Sequence, residues 1–194
     1  MESKLGTGRV CFYGEHVIQF LRFVGVLTAA IWLGAVAFQT FVAGPALSSA
    51  DALGLIGSKS FPYFSTALAQ IVTTRYFFLG SICAFVALAH MFVENLYMGR
   101  GVSRRWLALL LTLFALNLLG NSWLNPKLVE LHKLQHQFSS TPATRAAAAR
   151  SFGVWQGVFQ AMNVLMLAGV TAYLWRVSHP TDTPRFVTSG KFRG

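Results

Sequence analysis

The sequence predicts an all-α protein, an integral membrane bundle of four transmembrane helices with amphipathic interfacial and extramembrane segments between them. Three observations carry this. Four stretches, residues 23–43, 76–93, 106–124 and 152–175, contain no Asp, Glu, Lys or Arg, and His90 is their only histidine. Each reaches or approaches the roughly 20 residues a helix needs to cross about 30 Å of hydrocarbon. Only 11% of the 194 residues are charged and 54% are hydrophobic, against roughly 25% charge in a soluble domain. Four all-apolar segments in so short a chain leave too little polar surface to cover a soluble fold.

The first span is expected over residues 17–43, after a polar lead at 1–15. Lys4, Arg9 and the apolar run that follows resemble a secretory signal, and Ser48-Ser49-Ala50 offers a small-residue cleavage site. The apolar stretch is too long for a signal h-region and other spans follow it, so it reads as an uncleaved span. Residues 48–75 are too apolar for an open loop. Ser48 or Ser49 can cap a short interfacial helix, and Pro62 suits the first turn of a longer helix that runs to Tyr97 through span two, 76–97.

Span three, 106–124, ends near Pro126. Leu128, Leu131, Leu134 and Phe138 then fall on or near one helical face, as in an amphipathic segment outside the bilayer. A turn at Pro142 introduces an alanine-rich helix, followed by span four, 152–176. The whole reads as one membrane domain, 16–177, without tandem repeats, and residues 178–194 read as a tail rich in turn formers.

Basic residues gather beside the spans, so the net charge of +10 signals orientation and not nucleic-acid binding. Lys4, Arg9, Arg22, Arg100, Arg104, Arg105, Arg176, Arg185, Lys191 and Arg193 share the side of the termini. Lys59, Arg75, Lys127, Lys133, Arg145 and Arg150 lie opposite. The bias places both termini in the cytoplasm of a multi-pass protein in a bacterial inner membrane or a eukaryotic membrane. Cys11 and Cys83 are the only cysteines, which excludes a disulfide framework and a zinc spacing.

Polar residues inside the spans are the candidate site. Asn117 and Asn121 are four apart, as are Gln156 and Gln160, and Asn163 continues the second stripe. Helices three and four run antiparallel, which sets Asn121 roughly level with Gln156 and Asn117 with Gln160. Gln39, alone in its apolar run, must turn inward, because an unpaired amide in lipid costs several kcal/mol. One polar cluster of Gln39, Asn117, Asn121, Gln156, Gln160 and Asn163 is expected, with Gln39 bonded to Gln156, Gln160 or Asn121. Interhelical glue is its structural use, and a solute or ion site its functional one.

His90 and Glu94, with His16, are the candidate metal or haem ligands, and His132 and His136 in HKLQH form a second pair at helical spacing. Neither set completes a ligand pattern, so no cofactor is expected, with haem or a metal ion as the alternative. No phosphate loop, nucleophile elbow or catalytic triad is present, and the chain does not read as an enzyme.

The order of FVAGPAL closing span one, FPYF before span two, WLNP closing span three and FGVWQGVFQAMNV in span four resembles the transmembrane protein 205-like family, small four-span membrane proteins of unknown biochemical activity. The resemblance covers about residues 17–176. It points to Gly44, Pro45, Phe61, Pro62, Phe64, Trp123, Leu124, Pro126, Phe152, Gly157 and Asn163. The family usually has a histidine where this chain has Gln156, so a metal or proton role resting on that histidine would be lost here. The family's eukaryotic member is associated with platinum-drug resistance and vesicle trafficking, which implies soft-metal handling or export. The sequence thus leads to the expectation of a non-enzymatic membrane factor or partner subunit, held in the lipid bilayer as a homo-oligomer or with another membrane protein. A metal- or haem-dependent redox protein and a small transporter are the rivals.

Overall fold

In the computed structural model, the described backbone covers residues 8–98, 103–137 and 140–179, with side chains from Gln19 onward except Pro62, Tyr97 and Met98. All regular structure among these residues is helical: α1 Gly8–Phe38, α2 Gly44–Leu47, α3 Ala50–Ile56, α4 Phe61–Met98, α5 Arg104–Leu119, α6 Asn125–His136 and α7 Pro142–Ser178. Among the described residues, four helices are long and apolar enough to cross a membrane.

The bundle runs up-down-up-down. His90 on α4 meets Leu21 on α1, and Thr73 meets Gln39, so α1 and α4 are antiparallel. Asn125, just beyond the α5 segment, meets Thr74, and Arg176 of α7 lies over Trp106 of α5. Each long helix thus packs against its two neighbours around the square, and α1 closes it against α7. Trp32, Phe77, Met91, Leu110, Met166, Val170 and Tyr173 fill the centre. Phe38, Phe78, Phe85 and Leu165 stand exposed on the outside. In lipid, such an apolar surface is in its proper solvent.

Prolines shape the upper end. Pro45 and Pro126 lack an N–H, and their rings crowd the carbonyls four residues back, those of Phe41 and Ser122. Both helices widen just before them into π-helical turns, Gln39–Ala43 and Gly120–Leu124. There the Gly44 N–H bonds the Gln39 carbonyl and the Asn125 N–H bonds the Gly120 carbonyl, the five-residue step of a π turn. The chain therefore continues helically past each proline, and α5 passes through its π turn into α6 without a break.

Ser49 caps α3 by accepting from the Ala52 N–H at 3.2 Å, and Gly57 at φ 82° reverses the chain in a conformation that favours glycine. α4 begins at Phe61, beside Pro62, as expected. Leu128 and Leu131 of α6 are buried and Leu134 half-buried, while Phe138 lies outside the described residues. Two boundaries differ from expectation. α1 reaches back to Gly8, inside the segment read as a polar lead, and the alanine-rich helix and span four are one continuous α7. Alanine is the best helix former, and nothing between residues 142 and 178 interrupts the helix. The tail beyond His179 lies outside the described residues.

Aromatic residues mark two levels. Trp123 and Trp155 meet edge to face at 4.9 Å between ring centroids. At the other end Arg176 lies 5.0 Å from the Trp106 ring, and Trp175 stacks on His179. Trp106 and Trp123 are separated by about 26 Å of helix, and Trp155 and Trp175 by about 30 Å, at 1.5 Å per residue. That matches the aromatic belts of a bilayer with a core of about 30 Å. The upper parts of α4 and α7, and all of α6, stand beyond the Trp123–Trp155 level.

A neutral polar cavity at the upper aromatic level

The structure divides the expected amide cluster into three parts, stacked at different depths. Lowest is Asn117, fully buried, which donates Nδ2–H to the Leu113 carbonyl at 3.0 Å. Its Oδ1 occupies the space that a side chain on Gly80 would need. Leu113 packs against Gly169 and Trp123 against Trp155, so Asn117 lies nearer in depth to Asn163 than to Gln160. Asn163, also fully buried, accepts from the Tyr76 hydroxyl at 3.0 Å.

Above these lies Gln39, which donates Nε2–H to Thr73 Oγ1 at 3.2 Å and not to Gln156, Gln160 or Asn121. Asn121 points outward and is exposed. It sits two residues from Trp123, at a depth where lipid headgroups and water can satisfy an amide, so inward burial is not required of it. The same depth answers why Gln39 is tolerated: it stands near the edge of the hydrocarbon and not at its middle.

Gln39, Gln156 and Gln160 do share a surface. They line a cavity of about 420 Å³ between the first π turn, α2, α4, α6 and α7 at the upper aromatic level, together with Gln70 and Asn125. Ser48, Ser65, Thr66 and Thr73 add hydroxyls, and Pro45, Leu128, Phe152 and Phe159 add apolar walls. No lining residue is ionisable. Both π turns abut the cavity: Gln39 and Ala43 come from the first, and Asn125 follows the second directly.

Gln70, Thr73, Asn125 and Tyr76 were not among the expected site residues. A signal existed for three of them. Gln70, Thr73, Tyr76 and Gly80 recur at three- and four-residue intervals, a small-and-polar stripe on one face of α4. Its upper part lies before the charge-free stretch that marks span two, which assigns it to the connection when the sequence alone is considered. Asn125 carried no signal, because its importance comes from the π turn that aims it inward.

The histidine candidates fall in two places. His90 is buried against Gly25 and donates Nε2–H to the Leu21 carbonyl at 2.7 Å, so that nitrogen is committed to the backbone of α1. Glu94 is half-buried one turn further on. The His16 side chain lies outside the described residues. His132 is buried, with its Nε2 unpartnered, and its ring centroid lies 4.5 Å from that of His136 and 5.2 Å from that of Tyr63. His136 Nδ1 bonds the His132 carbonyl at 3.0 Å. Among the described residues no group of three or more His, Cys, Asp or Glu is placed to hold a metal ion.

The geometry separates two glutamines that the sequence made equivalent. Replacing Gln39 by leucine leaves Thr73 without its partner in a buried setting and is expected to cost about 1–3 kcal/mol. Replacing Gln160, exposed and without a hydrogen bond among the described residues, is expected to change stability by no more than about 0.5 kcal/mol. Thermal unfolding in detergent, with Phe38→Leu as the lipid-facing control, distinguishes them. Equal losses for the two glutamine variants would contradict the arrangement.

Comparison with known proteins adds one relationship. No curated protein and no solved structure matches the chain. A family described as a domain of unknown function matches residues 27–137, which is more than half of the chain and takes in Gln39, Gln70, Thr73 and Asn125. The chain is therefore a member of the DUF4149 family, an uncharacterised group.

Proposed function

We propose that this DUF4149 member is a non-enzymatic multi-pass membrane protein that binds a small uncharged solute in the cavity at its upper aromatic level. The observation that carries this reading is the lining: five amides and four hydroxyls face about 420 Å³, with no ionisable group among them. Such a surface can orient a ligand through hydrogen bonds, yet it holds no ionisable group to serve as acid or base or to activate one of its hydroxyls as a nucleophile. Five amides set among apolar walls also match a structural role, in which the cavity holds water and steadies the π turns. The solute reading is favoured by the size, since single buried waters need far less space.

The basic residues support a cytoplasmic location for both termini, which puts the cavity at the opposite face, in reach of extracytoplasmic solutes. The order of FVAGP, FPYF, WLNP and the span-four pattern supports a relationship to the transmembrane protein 205-like family. A redox role through His16, His90 and Glu94 is the second reading, in which His90 donates Nε2–H to the α1 backbone and keeps Nδ1 as its one nitrogen for a metal. A colourless, metal-free preparation from cells supplied with iron and haem agrees with the solute reading. A Soret band would replace it.

The topology is tested by single cysteines in a background lacking Cys11 and Cys83. Ser65→Cys and Ala69→Cys, both in the cavity lining, are expected to react with a membrane-impermeant maleimide added outside right-side-out vesicles. A cysteine at Lys191 is expected to react only after the vesicles are opened. The reverse pattern would invert the orientation, and protection of both lining sites in detergent would show the cavity closed to solutes.

A further inference from the structure

The amides that wall the cavity have part of their hydrogen-bonding capacity committed, and the commitment has a direction. Thr74 is the pivot. Its hydroxyl donates to the Gln70 carbonyl in the preceding turn at 2.9 Å, so its oxygen has only lone pairs left to offer. Asn125 Nδ2 lies 2.8 Å from that oxygen. Asn125 must therefore present its NH₂ group there, because the reversed amide would set two acceptors face to face. Its Oδ1 is turned away from Thr74, and it is buried without a partner.

Gln70 is oriented in the same way. Its side chain meets the Leu128 backbone carbonyl at 3.4 Å, and a carbonyl can only accept, so Nε2 donates and Oε1 is unspent. Gln39 donates to Thr73 and keeps a buried, unpartnered Oε1. Three lining side chains, from the first π turn, α4 and the start of α6, thus have donors tied to the wall and oxygens left over. Gln156 and Gln160 on α7 form no hydrogen bond among the described residues and can turn to meet either kind of group.

We infer that the cavity selects an uncharged ligand carrying at least one N–H or O–H donor, held with its donor side toward the α4–α6 wall. The inference rests on the reading of the cavity as a binding site. Two arguments exclude charge. An ion would lose hydration against a lining with no counter-charge, and the basic residues on the cavity's side of the membrane, Lys59, Arg75, Lys127, Lys133, Arg145 and Arg150 against Asp51 and Glu130, oppose cations, which three amide oxygens would otherwise suit. The donor chemistry is common to free amides and polyols and to the hydroxylated headgroup of a neutral lipid, and the cavity's position at the aromatic level admits both.

Acetamide, N-methylacetamide and N,N-dimethylacetamide share one carbonyl and lose their N–H groups stepwise. Saturation-transfer NMR on the full chain in detergent reads each through its methyl signals. Affinity is expected to fall along the series, by at least about tenfold from first to last, because a ligand without donors leaves buried acceptors unpaired. Thr74→Val removes the acceptor that orients Asn125, freeing its amide to turn, and is expected to flatten the preference, while the lipid-facing Phe85→Leu keeps it. Displacement of acetamide by glycerol, or by a monoacylglycerol alone, assigns a free solute or a lipid headgroup as the source. If N,N-dimethylacetamide binds as well as acetamide, the donor rule is overturned and the binding site stands. Saturable sodium binding, absent with choline, would overturn the exclusion of charge. If neither the three amides nor glycerol gives saturable transfer, the inference and the binding reading fall together.

Discussion

Replacing Gly120 by alanine is expected to lower stability by about 1–3 kcal/mol, the cost of forcing a methyl group into a filled core. Gly120 lies in the π turn that carries α5 into α6, and a Cβ there would overlap the ring of Phe77. Phe77 is fully buried and also meets Phe159 edge to face at 5.9 Å, so its ring has little freedom to yield. The conformation at Gly120 is right-handed helical, with φ −59° and ψ −46°, and any residue could adopt it. The requirement is thus purely one of space. Phe77→Leu should cost stability alone and yet rescue Gly120→Ala, giving a double variant more stable than the sum of the single losses. Additive losses in thermal unfolding would show that the helices do not approach so closely. Gly153 and Gly157 are the control, since a Cβ on either would meet nothing within 4 Å, and alanine there should be tolerated.

That contrast bears on what could be read before the fold was known. Gly153 and Gly157 form a small-xxx-small motif on the fourth span and invite a close-packing assignment. Both are exposed on the bundle exterior. The close approaches are made by Gly25, Gly80, Gly120 and Gly169, isolated glycines without a motif, because what makes a glycine necessary is the side chain that faces it on another helix. The four spans were legible because absence of charge over a membrane's width is a property of one segment, needing no knowledge of its neighbours. Inward burial of Gln39 was legible for the same reason. Its partner was not. Thr73 stands on the small-and-polar stripe of α4, but the stripe does not say which helix it faces, and the pairing depends on the relative depth and rotation of α1 and α4, whose Trp32, Val36 and Phe77 share one buried core. Asn121 marks the limit of the argument that amides in spans turn inward, since that argument weakens at the interface.

The π turns show a third kind of legibility. FVAGP and WLNP were conspicuous as motifs, and each proline marks where a helix leaves its regular course. Their consequence, two widened turns at one depth that frame the same cavity, required the three-dimensional register of the helices. Proline punctuation predicts a break more readily than a bulge. Here both chains of carbonyls find i+5 partners and continue. A break at either point would have detached α2 or α6 from the bundle and left the cavity without a wall.

The deepest polar contact gives the second large effect. Tyr76→Phe is expected to cost about 1–3 kcal/mol, although it removes a single oxygen, because of what it leaves behind. Asn163 is fully buried, its Oδ1 accepts only from the Tyr76 hydroxyl, and its Nδ2 already lacks a partner among the described residues. Without the hydroxyl the entire amide is unpaired between apolar helices. Asn163→Leu is expected to be milder: it deletes the unpartnered Nδ2 along with the acceptor, and the Tyr76 hydroxyl retains Met166 Sδ at 3.7 Å. The pair Tyr76→Phe with Asn163→Leu should then be more stable than Tyr76→Phe alone, since replacing both partners by apolar groups of similar shape removes the desolvation penalty with the bond. Thermal unfolding of the wild type, two single variants and double variant in one detergent closes the cycle. A double variant less stable than Tyr76→Phe would mean that Asn163 has a second partner, and that the amides of this bundle form the continuous network that the separate levels of Asn163, Asn117 and Gln39 argue against.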